Sequence, residues 1–203
     1  MQHLDASSTI PARELLAQTH AAGRTELTPP ELQHLFGTLG VAWQPQADPA
    51  SSEPELRVRL DYTREFGLVM QAGLGGLDGQ LDAANFQPDR ASVHAVVALT
   101  DAADFLRLFQ RSLAYQKLVL WRQSRSLESP DAVLSELFGR LLALAHAWRP
   151  EHPSAPLMLA RLDMDGLRCS PTPHTHLGEC AFVAPPRPRL PRPIEKIEQL
   201  IHP

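Results

Sequence analysis

Cysteine is scarce: Cys169 and Cys180 are the only two in 203 residues. That excludes the disulfide framework of a small secreted scaffold and leads us to expect reduced thiols in a cytoplasmic protein. Long hydrophobic runs are missing too. None reaches the roughly 20 residues that cross a bilayer, and the opening Met1-Gln2-His3-Leu4-Asp5 has neither the basic nor the apolar region of a signal peptide. Basic charge is thin, with a formal net charge of −4 and no dense Lys/Arg stripe in the folded part, which argues against a nucleic-acid partner. Ser92 and Ser170 have no evident His/Asp partners, so a hydrolase triad is unsupported. Met70, Met158 and Met164 form no cluster and read as core or turn filler. Internal repeats are absent.

What remains is ordinary for a globular protein: 43% apolar and 21% charged residues, enough for one domain with a small appendage. The 19 prolines gather in linkers. The centre of the chain is Phe66-Gly67-Leu68-Val69-Met70-Gln71-Ala72-Gly73-Leu74-Gly75-Gly76, a buried-strand pattern running into a glycine loop. Glycines there remove side chains where the backbone turns or where something approaches it closely. Before it, Glu55 to Tyr62 alternates strictly, with Leu56, Val58, Leu60 and Tyr62 on one face and Arg57, Arg59 and Asp61 on the other. The two runs, joined by Thr63-Arg64-Glu65, predict an antiparallel hairpin.

The other elements follow from local signals. A helix is expected from Pro11 to about Ala22, stopped by Gly23. Thr28-Pro29-Pro30-Glu31 has capping-box spacing ahead of a helix carrying Leu32, Leu35, Phe36 and Leu39. Gln44 to Pro54 reads as a linker. Leu77 to Arg90 is polar and irregular, with Asp78-Gly79 as a turn. Val93 to Leu99 is a third strand candidate, and Thr100-Asp101 caps a helix with Phe105, Leu106, Leu108 and Phe109. Tyr115 to Trp121 fits helix or strand. Ser129-Pro130-Asp131 starts the main core helix, whose apolar stripe runs from Val133 to Trp148. Pro156 to Asp163 reads as a strand, Asp165-Gly166 as a tight turn, and Leu167 to Ser170 as the return. The fold class is therefore α/β of the α+β kind: a mostly antiparallel sheet with helices packed on it. Pro185 to Pro193 reads as a stiff basic linker, and Ile194, Ile197, Leu200 and Ile201 fall at helical spacing beyond it.

Several side chains allow a sharp and a plain reading. His174, His176 and Cys180 have ligand types that suit Zn²⁺, but three such groups in a Pro/Thr loop read more simply as solvated polar residues. His146 reads as a helix-flank residue. Arg187, Arg189 and Arg192 read as a solubilising linker rather than a phosphate or RNA contact. The glycine loop is either a tight turn without a ligand or a ligand contact, with Gly73, Gly75 and Gly76 as the candidate cofactor-binding residues.

The order of these motifs resembles the C-terminal half of the ATP-grasp domain in NDP-forming acyl-CoA synthetases (acetate–CoA ligases, ADP-forming) and related protein acyltransferases. The similar part is Glu55 to Pro171, with Gly73-Leu74-Gly75-Gly76 as its most specific motif. Leu27 to Val41 looks like the helix and Gly-apolar step that opens such domains, and Ile194 to Pro203 like the lead-in to a CoA-binding domain. The resemblance implies a division into N-terminal helices and linker (1–54), a degenerate ATP-grasp-like domain (55–184), a Pro/Arg linker (185–193) and the start of a CoA-binding domain (194–203). The stiff spacer that leads to almost nothing gives the further expectation that the sequence is a fragment cut at a domain border.

The departures shape the functional expectation. The family's insertion covering the nucleotide phosphates is replaced here by Gln44 to Pro54. An acidic residue usually following the glycine loop is matched by Gln80, and an arginine before an Ala-Pro-Leu step has no match in Ala95 to Leu99. The family's acid-x-Asn-Pro motif, whose oxygens hold Mg²⁺, falls on Pro156 and Met158 when counted back from an Asp165-Gly166 turn. Neither ligates a hard cation, and phosphoryl transfer without a metal lacks its main stabilisation. The expectation is a non-catalytic ATP-grasp-like module, structural or regulatory, with no cofactor. Its expected partners are CoA-binding or ligase domains of the same or another chain, with homo-oligomerisation left open. The alternative is a contribution to ATP- and Mg²⁺-dependent acyl-CoA ligase chemistry with groups from another domain or subunit.

Overall fold

The computed structural model describes residues 10–44, 46, 51–85, 92–148 and 157–185. Linker residues 186–193 and the Ile194 to Pro203 segment lie outside the described residues, as does Pro156. Helix α1 (Ile10–Ala21) ends at Gly23, whose φ of +66° supplies the left-handed stop. Helix α2 (Pro29–Thr38) buries Leu32, Leu35 and Phe36. Its start forms the expected local network: the Glu31 carboxylate accepts from the Thr28 amide and hydroxyl, both at 2.8 Å, and from Arg24 at 2.6 and 2.7 Å.

The Arg24 guanidinium, helped by the Thr28 donors, holds the Glu31 carboxyl down at about 2, against an ordinary value of 4.5. A depressed carboxyl stabilises the fold above its unfolded value, and that contribution disappears as pH falls from 4.5 toward 2. Glu31→Gln should therefore lower the melting temperature at neutral pH, and the gap to wild type should close near pH 2 in a thermal melt run across that range.

Five strands, β2 (Leu56–Thr63), β3 (Gly67–Leu74), β4 (Ser92–Val96), β5 (Met158–Leu167) and β7 (Leu177–Val183), form one antiparallel sheet in the order β4-β3-β2-β5-β7. A small parallel pair joins β1 (Ala42–Trp43) to β6 (His174–Thr175). The outer edge of β7 is bonded by the Thr25–Leu27 segment through Phe182 N to Thr25 O at 2.7 Å and Leu27 N to Cys180 O at 3.1 Å. This protects an edge that would otherwise present open donors and acceptors.

The alternation expected for Glu55 to Tyr62 appears as written. Leu56, Val58 and Leu60 are buried together with Met70, Ala72, Leu162 and Met164. Helices α4 (Ala102–Phe109), α5 (Leu113–Gln123) and α6 (Asp131–Ala147) complete this core. Phe138 stands edge-on to Phe105 and Phe109, with ring centroids 4.9 and 5.6 Å away. Asp101 caps α4 by accepting from the Asp104 amide at 2.8 Å. Tyr115 to Trp121 is helix, not strand, and Ser112 caps it by accepting from the Tyr115 amide.

Three expectations are corrected. Gly76–Asn85 is an α-helix, α3, so Leu77 to Asn85 is not irregular and Asp78-Gly79 is no turn. Strand β4 stops at Val96, and Val97–Leu99 is a 3₁₀ turn. Most consequentially, Asp165-Gly166 does not reverse the chain: β5 runs through it to Leu167. Leu56 faces Leu167 and Val58 faces Met164, so Asp165 and Gly166 together oppose the single residue Arg57. That two-against-one count is a β-bulge, and Gly166, at φ +67°, supplies its left-handed residue. The chain reverses later, between Arg168 and His174, whose amides and carbonyls bond each other at 2.9 Å.

Candidate functional site

The glycine stretch is the junction where β3 enters α3. Gly73 lies within β3, between Arg57 and Ser92 in register. The Gly75 amide donates to the Glu55 carbonyl at 2.8 Å. A Cβ on Gly75 would lie 2.5 Å from the Leu56 carbonyl oxygen and 2.7 Å from Asp165 Oδ1, so this glycine lets two backbones touch. Gly76 takes φ +54° and opens the helix. Its amide donates to Asp165 Oδ1 at 2.9 Å, and the same oxygen accepts from the Gly166 amide at 2.8 Å. A carboxylate of the chain itself thus occupies the positive end of α3, where helix N-termini favour anions.

Beside this junction lies a cleft of about 420 Å³, lined by Glu53, Glu55, Gly75, Asp78, Lys117 and Arg168 among others. Lys117 is paired with Asp78 at 3.0 Å and Arg168 with Glu55 at 2.7 Å. Glu53 is buried and accepts from the Cys169 amide at 2.9 Å. Burial pushes its carboxyl up, while the Cys169 amide pulls the other way. Burial, with Glu53 nearby, lifts the Cys169 thiol to about 12, and burial raises Cys180 as well, so neither is a thiolate near neutral pH.

On the polar face of the sheet, charges interlock across β2, β5 and β7. Arg57 grips Asp163 through Nε–Oδ1 at 3.0 Å and Nη2–Oδ2 at 2.5 Å, and its Nε lies 3.8 Å from Asp165 Oδ2. Arg59 Nε is 3.3 Å from Asp163, and its Nη2 is 3.1 Å from Asp61. Arg161 joins Asp61 at 2.8 Å and Glu179 at 3.2 Å.

With β5 continuous, Asp163 and Asp165 lie two residues apart on one strand, directly ahead of Gly166. The count that put the acid-x-Asn-Pro motif on Pro156 and Met158 started from a turn that β5 does not make, and Met158 is fully buried in that strand. Sequence reading missed Asp163, Asp165 and Arg57 because it took Asp-Gly as a hairpin. The acid-x-acid spacing was the available signal.

The remaining candidates do not converge. Ser92 accepts from Gln71 at 2.9 Å and Ser170 from Arg122 at 2.8 Å. His174 and His176 flank the buried Thr175, whose hydroxyl donates to the Asp165 carbonyl at 2.7 Å. Among the described residues no group of three or more His, Cys, Asp or Glu is arranged to hold a metal, and no helix is long and apolar enough to cross a membrane.

No family model matches the chain, and no curated protein does either. Solved structures do. The dinucleotide-forming acetyl-coenzyme A synthetase 1 of Ca. Korarchaeum cryptofilum, in complex with coenzyme A and Mg-AMPPCP, superposes with a TM-score of 0.62 at 15% identity, covering 85% of this chain and 100% of that one. The same synthetase with coenzyme A, Ca-AMPCP and HgCl⁺ gives 0.63 at 14% identity with the same coverage. A protein of Pyrococcus horikoshii Ot3 gives 0.63 at 9% identity, covering 86% of this chain and 98% of that one. The chain shares its fold with these chains: a five-stranded antiparallel sheet with helices packed on it. The resemblance to acyl-CoA synthetases holds at the level of fold.

Proposed function

We propose that the chain is a non-catalytic ATP-grasp-like module of an NDP-forming acyl-CoA synthetase-like protein. It serves assembly or regulation in the cytoplasm by packing against a CoA-binding domain of its own or a partner chain. The observation that carries this reading is the charge balance of the glycine-loop cleft. Its two cations, Lys117 and Arg168, are each committed to a carboxylate, and three acids line the cleft against those two bases. A polyphosphate needs free cations or free amides there, and the Gly76 amide is taken by Asp165. The residues also do not fit a nucleotide-bound Mg²⁺, because the oxygens of Asp163 are gripped by Arg57 and Asp163 is only 4% exposed. In this reading Gly73, Gly75 and Gly76 shape the β3–α3 junction.

The test is a thermal-shift titration of the purified chain with ATP·Mg²⁺. A ligand that binds the native state must raise the midpoint, by about 2.7 kcal/mol of stability at a hundred times its dissociation constant. We expect no shift at millimolar nucleotide. A saturable rise would replace this reading with the catalytic one, in which another domain or subunit supplies the missing groups.

A further inference from the structure

A buried carboxylate requires a counter-charge. Asp163 and Asp165 stand two residues apart on β5, and a single nitrogen, Arg57 Nε, lies 3.0 Å from Asp163 Oδ1 and 3.8 Å from Asp165 Oδ2. Carboxylate pairs of this kind are ligands for hard divalent cations, and Mg²⁺ in particular uses one or two of them with waters. Here the residue opposite the bulge is an arginine. Its guanidinium forms a two-pronged grip on Asp163 and comes within 3.8 Å of Asp165. Planar geometry makes arginine, unlike lysine, suited to such a fork. Of the neighbouring cations, Arg59 also approaches Asp163, at 3.3 Å, while pairing with Asp61, and Arg161 is held between Asp61 and Glu179.

We propose that the Arg57 guanidinium is a built-in substitute for a divalent cation on the Asp163–Asp165 pair, so that the chain carries in its own sequence the positive charge this face requires. The proposal deepens the non-catalytic reading and rests on it. It adds that the carboxylate site is intact beneath the arginine and that loss of one side chain uncovers it.

The test uses the full chain and metal alone, without nucleotide, so that a failure here is separable from a failure of the nucleotide experiment. Wild type, Arg57→Ala and Arg57→Met are stripped with EDTA and melted in increasing Ca²⁺ or Mg²⁺. Terbium luminescence serves as an independent readout of carboxylate-bound metal. Wild type should show no saturable change in midpoint and no terbium signal. Both variants should melt lower in EDTA and recover in a saturable manner with Ca²⁺, with terbium luminescence appearing. Adding Asp163→Asn to either variant should abolish recovery and luminescence. Saturable metal binding by wild type, or folded variants that ignore metal, would overturn the proposal. If the variants fold only poorly in EDTA, refolding in Ca²⁺ asks the same question: recovery supports the proposal and its absence overturns it.

Discussion

Phe138→Ala is expected to destabilise the fold by about 3–5 kcal/mol, the range for truncating a fully buried aromatic side chain. Phe138 sits at the middle of α6 with no exposed surface, in edge-to-face contact with both Phe105 and Phe109. Its removal forfeits the transfer free energy of the ring and two aromatic pairs worth about 0.5–1.5 kcal/mol each. It also leaves a cavity bounded by helices whose neighbours are equally buried. Leu134, Leu137 and Leu141 are each 2% exposed or less, and a core this dense relaxes only partly into a void. For a domain of this size the loss corresponds to a fall in melting temperature on the order of 10 °C. Circular dichroism melts, paired with urea titrations to check that the m-value is unchanged, measure it. Phe138→Leu, which keeps much of the volume, should recover most of the loss. If Phe138→Ala melts within a degree or two of wild type, α6 is not the centre of the core.

That α6 should be the main core helix was visible in its apolar stripe, because burial imposes a period of 3.6 residues that nothing else in the stretch contradicts. The same holds for β2, where strict alternation of Leu56, Val58 and Leu60 with Arg57 and Arg59 maps directly onto a buried and a polar face. The failures share a different cause. Asp-Gly is a turn signal because glycine accepts φ > 0, but a β-bulge uses the same conformation without reversing the chain. Only the partner strand distinguishes the two, and β2 lies about a hundred residues earlier. Likewise Gly76, Asp78 and Gly79 read as loop residues, yet α3 forms around them. Asp165, from a distant strand, accepts from the helix's first amide, and Gly79 packs where a Cβ would lie 2.4 Å from the Leu74 carbonyl oxygen. The candidate site was legible in part: the glycine loop was located, whereas the Asp163–Asp165–Arg57 cluster depends on a strand register that local sequence does not encode.

Gly75→Ala is expected to be the most disruptive single-methyl change on this chain's site. Its Cβ would lie 2.5 Å from the carbonyl oxygen of Leu56 and 2.6 Å from the carbonyl carbon. Both are backbone atoms of a central strand, so neither can swing aside. Relief requires β2 and the β3–α3 junction to separate, which stretches the Gly75 N to Glu55 O and Gly76 N to Asp165 Oδ1 bonds, both now 2.8–2.9 Å. Overpacking of this sort typically costs about 1–3 kcal/mol and occasionally more, and losing the buried bond partners adds to it. The control is Gly76→Ala. Gly76 has φ +54°, and its added Cβ would meet Glu55 Oε2, the far end of a side chain that can rotate away. Its cost is therefore mainly the left-handed conformation, roughly 1–2 kcal/mol, and Gly76→Asn should reduce that cost because asparagine tolerates this region. For Gly75 no residue with a side chain offers such relief, since its penalty is contact rather than conformation. Urea unfolding of the three variants should give Gly75→Ala the lowest midpoint and Gly76→Asn the highest. The reverse order would mean that backbone conformation, not the approach of β2, fixes the glycine at the head of α3. The packing role assigned to the Gly73-Leu74-Gly75-Gly76 stretch would then give way to one in which the loop's shape serves something it binds.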